Sequence, residues 1–559
     1  MKTSHKPLAV LVTLLISIAP LVAQQLPAGP QVLTFFSDAD DTEQPYALYI
    51  PKNYDPQKKY PLVVMLHGAG SNHRLALRRV FGKSNAPGET DVEATRYFPE
   101  WKDVEYIVAA TYARGTAGYQ GIPEKDVYDM LADVKKRFTI DEDRTYLTGL
   151  SMGGGGTLWI GLSRPDIWAA LAPVCPAPPN GTDVLAPNAF NVPMHFFHGD
   201  QDQAVPVSVS RDWVKRLKDS GTQVEYKEYP GVNHNSWENA YNDGSIFSWF
   251  SQFKRNQFPD RVRFSSANYK YNNAYWVTLD QLTPGTLASI DVKFTATNQL
   301  DITTTNLDAF TLKLTNHPQF RSDQPLTMVI NGGKKMKVPA TTDFSMKQAD
   351  RKWMIGKFEP SLVSKKQNAE GPIRAAFNSR HIYVYGTSGN PSPEELDARR
   401  SLAEEAANWA VYRGAFLGRV MFFPRIVSDK EVRPSDLESS NLILFGTKET
   451  NAILEKYSDR LPLHLNPSAT KDHGLFYVFP MDGHYIAVSS GLPWWTGQQV
   501  QGFRFMSSPA IRIQDFKDFL IFKEGTTNII ADGYFDQAWR IPDADRKKLV
   551  SAGVVAVKP

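Results

Sequence analysis

Short apolar runs alternate with helix-period segments along residues 31 to 258. PLVVML (61–66), EYIVAA (105–110), TYLTG (145–149), AALAPV (169–174), MHFF (194–197) and VEYKEY (224–229) are brief and bounded by turn residues. Most are apolar on both faces, which predicts strands of a parallel sheet covered by helices on each side. Between them, KDVYDMLADVKKRF sets Val127, Met130, Leu131, Val134 and Phe138 at three- and four-residue steps, the single apolar stripe of a surface helix. Asp126 stands where it can cap that helix. PVSVSRDWVKRLKDSG opens with Pro206 and closes with Gly221, the expected asymmetry of helix start and stop. The alternation predicts an α/β architecture over residues 24–258.

The texture changes near residue 259. Helix periods vanish from 264 to 345, and ASIDVKFTA (288–296) alternates with Ile290, Val292 and Phe294 on one face. FTLKL (310–314) alternates as well, and LTMVI (326–330) meets KKMKV across Asn331-Gly332-Gly333, a hairpin signal. A small antiparallel, sandwich-like β-domain is expected over 264–345. A mixed α/β domain of unassigned role is expected over 346–559, where IYVYGT (382–387) and LILFGT (442–447) each precede helix-forming sequence. Two strand–Gly-Thr–helix units without further identity read as ordinary strand-to-helix turns rather than a repeat.

Length and charge narrow the reading. A chain of 559 residues exceeds one hydrophobic core, which fits the three-part division. Lys plus Arg number 62 against 59 for Asp plus Glu, and no basic stripe stands out, so a nucleic-acid partner is not expected. The opening MKTSHKPLAVLVTLLISIAPLVAQQ combines Lys2 and Lys6, an apolar run over 8–19 and the small Ala23. This is the pattern of a signal peptide over residues 1–23. Its apolar run is too short to span a bilayer, and no later stretch is long enough. Export to a periplasm or beyond, with no membrane span after cleavage, is therefore expected. The single cysteine, Cys175, excludes an internal disulfide and sits beside an apolar run, so a buried inert thiol is expected. There is no HExxH and no pair of cysteine ligands. SDADDTEQ (37–44) lacks calcium-loop spacing, and no Lys-Ser/Thr follows the glycines at 153–156. Neither a metal nor a cofactor is expected.

The candidate chemistry centres on GLSMGGGG (149–156), where Gly149-Leu150-Ser151-Met152-Gly153 fits G-x-S-x-G between a strand and a helix. In that motif the chain turns sharply, and the flanking positions must be glycine because a side chain would clash with the neighbouring strand or helix. The turn lifts the Ser151 hydroxyl to a helix N-terminus, where amide N–H groups favour developing negative charge. A serine hydroxyl needs a base to take its proton, and the base needs an acid to fix its tautomer. Both follow the serine, acid first, in enzymes built on this elbow. MHFFHGDQDQAVP (194–206) runs from a strand into a loop with two aspartates, and VEYKEYPGVNHNSW (224–237) runs from a strand into a loop with His234. His234 is the candidate base, whereas His195 and His198, in or at the end of a strand, read as structural. Position favours Asp202 as the acid, with Asp200 the alternative that could simply form the turn after Gly199. Met152, next to the serine, and Ala69, in the His67-Gly68-Ala69-Gly70 loop after an early strand, are the candidate oxyanion-hole amides, with Gly70 next in line. His67 reads as a loop-bonding residue, and Arg78 and Arg79 as surface charges. Tyr112, Tyr119 and Trp237 either line a pocket or pack the loops.

With these residues in place, residues 31–258 resemble the α/β-hydrolase superfamily, and in particular its secreted esterases: feruloyl and acetyl-xylan esterases, polyhydroxybutyrate depolymerase-like esterases and related predicted peptidases. YALYIPKNYD (46–55), PLVVMLHGAG (61–70), DEDRTYLTGLSMGGGGT (141–157), FHGDQDQAVP (197–206) and PGVNHNSW (230–237) carry the resemblance. It implies an α/β-hydrolase fold and a Ser151–Asp202–His234 triad, the aspartate of HG-x-x-D-x-x-V-P being Asp202. It also implies hydrolysis of carboxylic esters, with plant-polysaccharide feruloyl or acetyl groups as the substrate class. Prolyl oligopeptidases share the superfamily, which makes a serine peptidase the alternative. An inactive fold used for binding is a further alternative, and no triad member is missing to favour it.

Overall fold

The computed structural model describes residues 26–361, 363–410, 420–497 and 506–558; the expected signal peptide lies outside the described residues. The apolar runs of the first part pair into one eight-stranded sheet. Its strands are β1 (Gly29–Ser37), β2 (Thr42–Ile50), β3 (Tyr60–Leu66), β4 (Ile107–Thr111), β5 (Ile140–Leu150), β6 (Ala170–Val174), β7 (Met194–Gly199) and β8 (Val224–Tyr229). The spatial order is β1-β2-β4-β3-β5-β6-β7-β8. β1 and β2 are antiparallel to their neighbours, and β4 through β8 are parallel. Every residue of β3, β4 and β6 is buried, which is why these strands are almost wholly apolar, Thr111 at the end of β4 being polar.

Helices cover both faces. Helix α1 (His73–Val80), with the short α2 (Asp91–Ala94) following it, packs on one face together with the helix Ser245–Phe250. On the other lie α3 (Ile122–Arg137), α4 (Met152–Ser163) and α5 (Ser208–Asp219). Helix α3 starts four residues before Asp126, because Pro123 fits the first turn, where a missing N–H costs nothing. Asp126 is therefore not a cap; it is buried inside the helix, where Arg114 Nε donates to it at 2.6 Å and Ser37 Oγ at 3.2 Å. Arg78 is not a surface charge. It is 1% exposed, and its guanidinium donates to the carbonyls of Ala94 (2.5 Å) and Ser84 (3.2 Å), tying α1 to the loop beyond it. Arg79 is partly buried and bonded to Lys83 O and Asn85 Oδ1.

Two five-stranded sheets follow, running from Arg261–Ser266 to Lys352–Ile355, with Trp276 and Phe310 in the core between them. The strands reach ten residues past the expected end at 345. The last hairpin, Asp343–Ala349 with Lys352–Ile355, turns over Asp350 and Arg351 at φ of 48° and 61°. That geometry is the favoured two-residue hairpin turn, but Asp-Arg lacks the glycine that would signal it. The third part holds a seven-stranded sheet whose strands His381–Tyr385, Arg425–Ser428, Asn441–Phe445 and His484–Gly491 are parallel, with an antiparallel extension.

The parts are joined by buried polar contacts. Asn188 of the first domain exchanges hydrogen bonds with both backbone groups of Ser265, acting as a short piece of strand. Glu124, on α3 and fully buried, accepts from the Tyr271 hydroxyl at 2.5 Å and from Trp159 Nε1 at 3.2 Å.

Candidate active site

β5 ends at Leu150, and the chain reverses through Ser151 at φ 55°, ψ −118° before α4 begins at Met152. A serine held in this region is strained and persists only where its surroundings fix it. The Ser151 amide donates to Val174 O at 2.9 Å, and its carbonyl accepts from Gly155 N and Ala177 N, each at 3.0 Å. The two motif glycines are required by close approach. A Cβ on Gly149 would stand 2.3 Å from Gly153 O, and one on Gly153 would stand 2.2 Å from Leu66 O.

Because β5, β7 and β8 are parallel, the loops after them leave one edge of the sheet, and three expected residues meet there. His234 Nε2 lies 3.0 Å from Ser151 Oγ, and His234 Nδ1 lies 2.7 Å from Asp202 Oδ2. The other Asp202 oxygen, Oδ1, accepts from the amides of Ala204 (2.9 Å) and Val205 (2.8 Å). The carboxylate is thus buried, oriented and fully bonded. His198 Nε2 lies 3.1 Å from Asp202 Oδ2 and 3.0 Å from Val205 O, while its Nδ1 faces the Ser210 hydroxyl at 2.7 Å. Burial lowers the affinity of His198 for a proton, which fits a neutral ring donating through Nε2. Asp200 lies outside this chain of bonds; its carboxylate accepts from Gly231 N at 2.7 Å and shapes the turn.

The loop after β3 runs against the serine, since a Cβ on Gly68 would be 3.5 Å from Ser151 Cβ. His67 is fully buried, with Nδ1 2.8 Å from Gly68 O and Nε2 2.8 Å from Tyr112 O, a loop-bonding position. The Gly70 amide donates to Thr116 Oγ1 at 2.9 Å and is committed to the protein. Ala69 is exposed between them, and Met152 heads α4, where the first amides have no helical acceptor. Tyr119 packs the loops: it is 2% exposed and donates to His67 O at 3.0 Å. Tyr112 and Trp237 are partly buried, and Trp237 stands edge-on to His234 with ring centroids 5.4 Å apart. Ligand-type atoms of Cys175, Asp202 and His234 lie within 4.8 Å of one another. Burial pushes the Cys175 thiol up to about 12, so it stays protonated, and Asp202 and His234 already bond each other. Sequence reasoning passed over Thr116 and Arg114, whose partners lie in distant segments with no local signal.

Residues 53–247 match the family model for phospholipases and carboxylesterases. Over 254 residues the chain is 25% identical to the probable dipeptidyl-peptidase 5 of Aspergillus flavus, covering 37% of this chain and 33% of that protein. Over 231 residues it is 24% identical to feruloyl esterase D of Neurospora crassa, covering 39% of this chain and 77% of the esterase. The match thus spans about a third of the peptidase's length. Among solved structures, a thermostable esterase is similar at 28% identity and a TM-score of 0.34, over 40% of this chain and 63% of that one. The sheet order and the family-model match over residues 53–247 agree with an α/β-hydrolase fold for the first domain.

Proposed function

We propose that the chain is an exported serine hydrolase that cleaves carboxylic esters, with feruloyl or acetyl groups on plant polysaccharides as its substrate class. The observation that carries the reading is the unbroken line Ser151 Oγ–His234 Nε2 (3.0 Å) and His234 Nδ1–Asp202 Oδ2 (2.7 Å) at a strained elbow. His234 takes the Ser151 proton as Oγ attacks the ester carbonyl, and Asp202 holds the imidazole with Nδ1–H toward itself. The amides of Met152 and Ala69 bind the oxyanion of the tetrahedral intermediate. His234 then protonates the leaving alcohol, and water releases the acyl group by the same steps in reverse. No cofactor takes part. The lysines and apolar run of residues 1–23 support export, and among the described residues no helix is long and apolar enough to cross a membrane. The substrate class rests on resemblance and on the match to feruloyl esterase D.

A serine peptidase is the second reading, favoured by the match to dipeptidyl-peptidase 5. The triad serves both, so substrates must separate them. The chain from residue 24, with Ser151→Ala as control, is assayed on p-nitrophenyl acetate, methyl ferulate, acetylated xylan and a prolyl-arylamide peptide. Serine-dependent ester turnover with the peptide untouched supports the esterase. Peptide cleavage at equal or greater efficiency moves the assignment to the peptidase, and inactivity on all four overturns the catalytic reading.

A further inference from the structure

The loop after β4 carries two consecutive non-glycine residues in the left-handed region, Ala113 at φ 44° and Arg114 at φ 61°, followed by Gly115 at φ 75°. L-residues rarely hold this conformation, and two in a row persist only when their surroundings over-determine them. Part of what fixes them comes from the first domain. The Arg114 guanidinium, with no exposure to solvent, binds Asp40 (2.5 Å), Asp126 (2.6 Å) and Ser37 (2.7 Å). The rest comes from the third domain, some three hundred residues away. Met421 N donates to Arg114 O at 3.0 Å, Arg114 Nη1 returns to Met421 O at 3.4 Å, and Gly115 and Val420 form an antiparallel bridge. The Phe422 ring lies 5.7 Å from the guanidinium carbon.

The same loop buttresses the segment set against Ser151. Its first residue, Tyr112, offers the carbonyl that holds His67 Nε2, and Thr116 offers the hydroxyl that holds the Gly70 amide. Ala69, the candidate second oxyanion donor, lies between these two anchored positions. We infer that the third domain is a positioning element of the active site: Val420–Phe422 locks the left-handed turn at 113–115, and that turn sets the Ala69 amide. The inference rests on Ser151 acting as the nucleophile.

The test is made on the full mature chain, with one variant that deletes an amide and another that keeps it. Met421→Pro removes the N–H that Arg114 O accepts, whereas Met421→Ala retains it. The readouts are kcat and KM on a p-nitrophenyl ester, the rate of Ser151 labelling by a fluorophosphonate and the thermal midpoint. In labelling, Ser151 Oγ bonds phosphorus, fluoride leaves, the proton passes to His234, and the phosphoryl oxygen occupies the oxyanion site. Loss of an oxyanion donor lowers kcat by about 10²- to 10³-fold, so a displaced one should lower it roughly tenfold or more. The expected result for Met421→Pro is that drop in kcat and in labelling rate, with KM within about twofold of the wild type, while Met421→Ala stays near wild type. A folded Met421→Pro protein with wild-type kcat, or an alanine variant that loses as much, overturns the inference. Should the proline variant not fold, Thr116→Val, which removes the acceptor of the Gly70 amide with little change of shape, must show the same kcat loss, and wild-type kcat in it overturns the inference equally. A wild-type protein that neither labels nor hydrolyses defeats the serine reading itself, whereas equal labelling of wild type and Met421→Pro defeats the positioning role alone.

Discussion

Replacing Asp202 by asparagine isolates what the acid does. In the native site Oδ1 is fixed by two amide donors, Ala204 N and Val205 N, so only an oxygen is tolerated there. The asparagine carbonyl takes that place, and its NH₂ group is turned toward His234 Nδ1, where Oδ2 stood 2.7 Å away. A donor facing Nδ1 forces the proton of a neutral imidazole onto Nε2. Nε2 then presents N–H, not a lone pair, to Ser151 Oγ at 3.0 Å, and the base cannot accept the serine proton. Freezing the wrong tautomer in a triad costs about 10⁴-fold in kcat, or roughly 5.5 kcal/mol of barrier at about 1.4 kcal/mol per tenfold. The backbone bonds of residue 202 survive the change, and His198, whose Nε2 lies 3.1 Å from the same atom, can accept the second N–H by moving its proton to Nδ1, where the Ser210 hydroxyl accepts it, so the thermal midpoint should move by no more than a few degrees. Asp200→Asn is the matched control, because Asp200 accepts from Gly231 N and touches no triad member. The assay is kcat and KM on a p-nitrophenyl ester beside a melting curve, for both variants. An Asp202→Asn protein within tenfold of wild type, or an Asp200→Asn protein losing as much activity as Asp202→Asn, would rule out this role for Asp202.

Three further outcomes are expected. Gly155→Ala should destabilise the fold by about 3 kcal/mol or more, measured by urea unfolding, because its Cβ would meet the Ala177 carbonyl oxygen at 2.0 Å and neither backbone segment has room to withdraw; a loss below 1 kcal/mol would contradict the packing. His381, 1% exposed, has its pKa lowered by burial from 6.5 to about 4, its Nδ1 bonding Ser379 O and its Nε2 without a partner. A base with a depressed folded-state pKa costs stability as pH falls, here by roughly 3 kcal/mol between pH 6.5 and 4. Stability should therefore fall less steeply over that window in His381→Phe than in wild type, and equal slopes would disprove the assignment. The Cys175 thiol, buried and pushed up to about 12, should resist Ellman's reagent in the native protein and react fully in urea, whereas rapid native reaction would show an accessible thiolate.

The α/β class of the first domain was legible because β3, β4 and β6 are buried on both faces and therefore almost wholly apolar. The elbow was legible because its strand, glycines and helix are contiguous. Asp202 and His234 could be paired with Ser151 from far along the chain because parallel strands deliver their following loops to one edge. What escaped was set by contacts between remote segments. Asp126 looked like a cap because the chain before it gives no hint of Arg114. Arg78 looked like a surface charge because two of its acceptors are main-chain carbonyls, which every residue carries, and its carboxylate partner, Glu89, lies eleven residues on with no local signal. The sandwich ran past 345 because its last turn uses Asp350 and Arg351 where glycine is expected. The left-handed turn at 113–114 has no sequence signature, being imposed in part by residues three hundred positions later.

The buried Glu124 bears on how freely the three parts can be separated. In the intact chain its carboxylate is satisfied by Tyr271 and Trp159, and Lys270 Nζ lies 3.2 Å away. A first domain cut free near residue 258 would lose Tyr271 and Lys270 at once, together with the strand segment that Asn188 pairs with. The carboxylate on the body of α3 would then keep only the Trp159 indole of the three groups described, and a strand-mimicking amide would be left with no strand to imitate. The hydrolase domain is in that sense not a cassette. Its surface has been written around its neighbours, and a graft of it onto another scaffold would have to supply a phenol, a cation and a free strand edge in the same places.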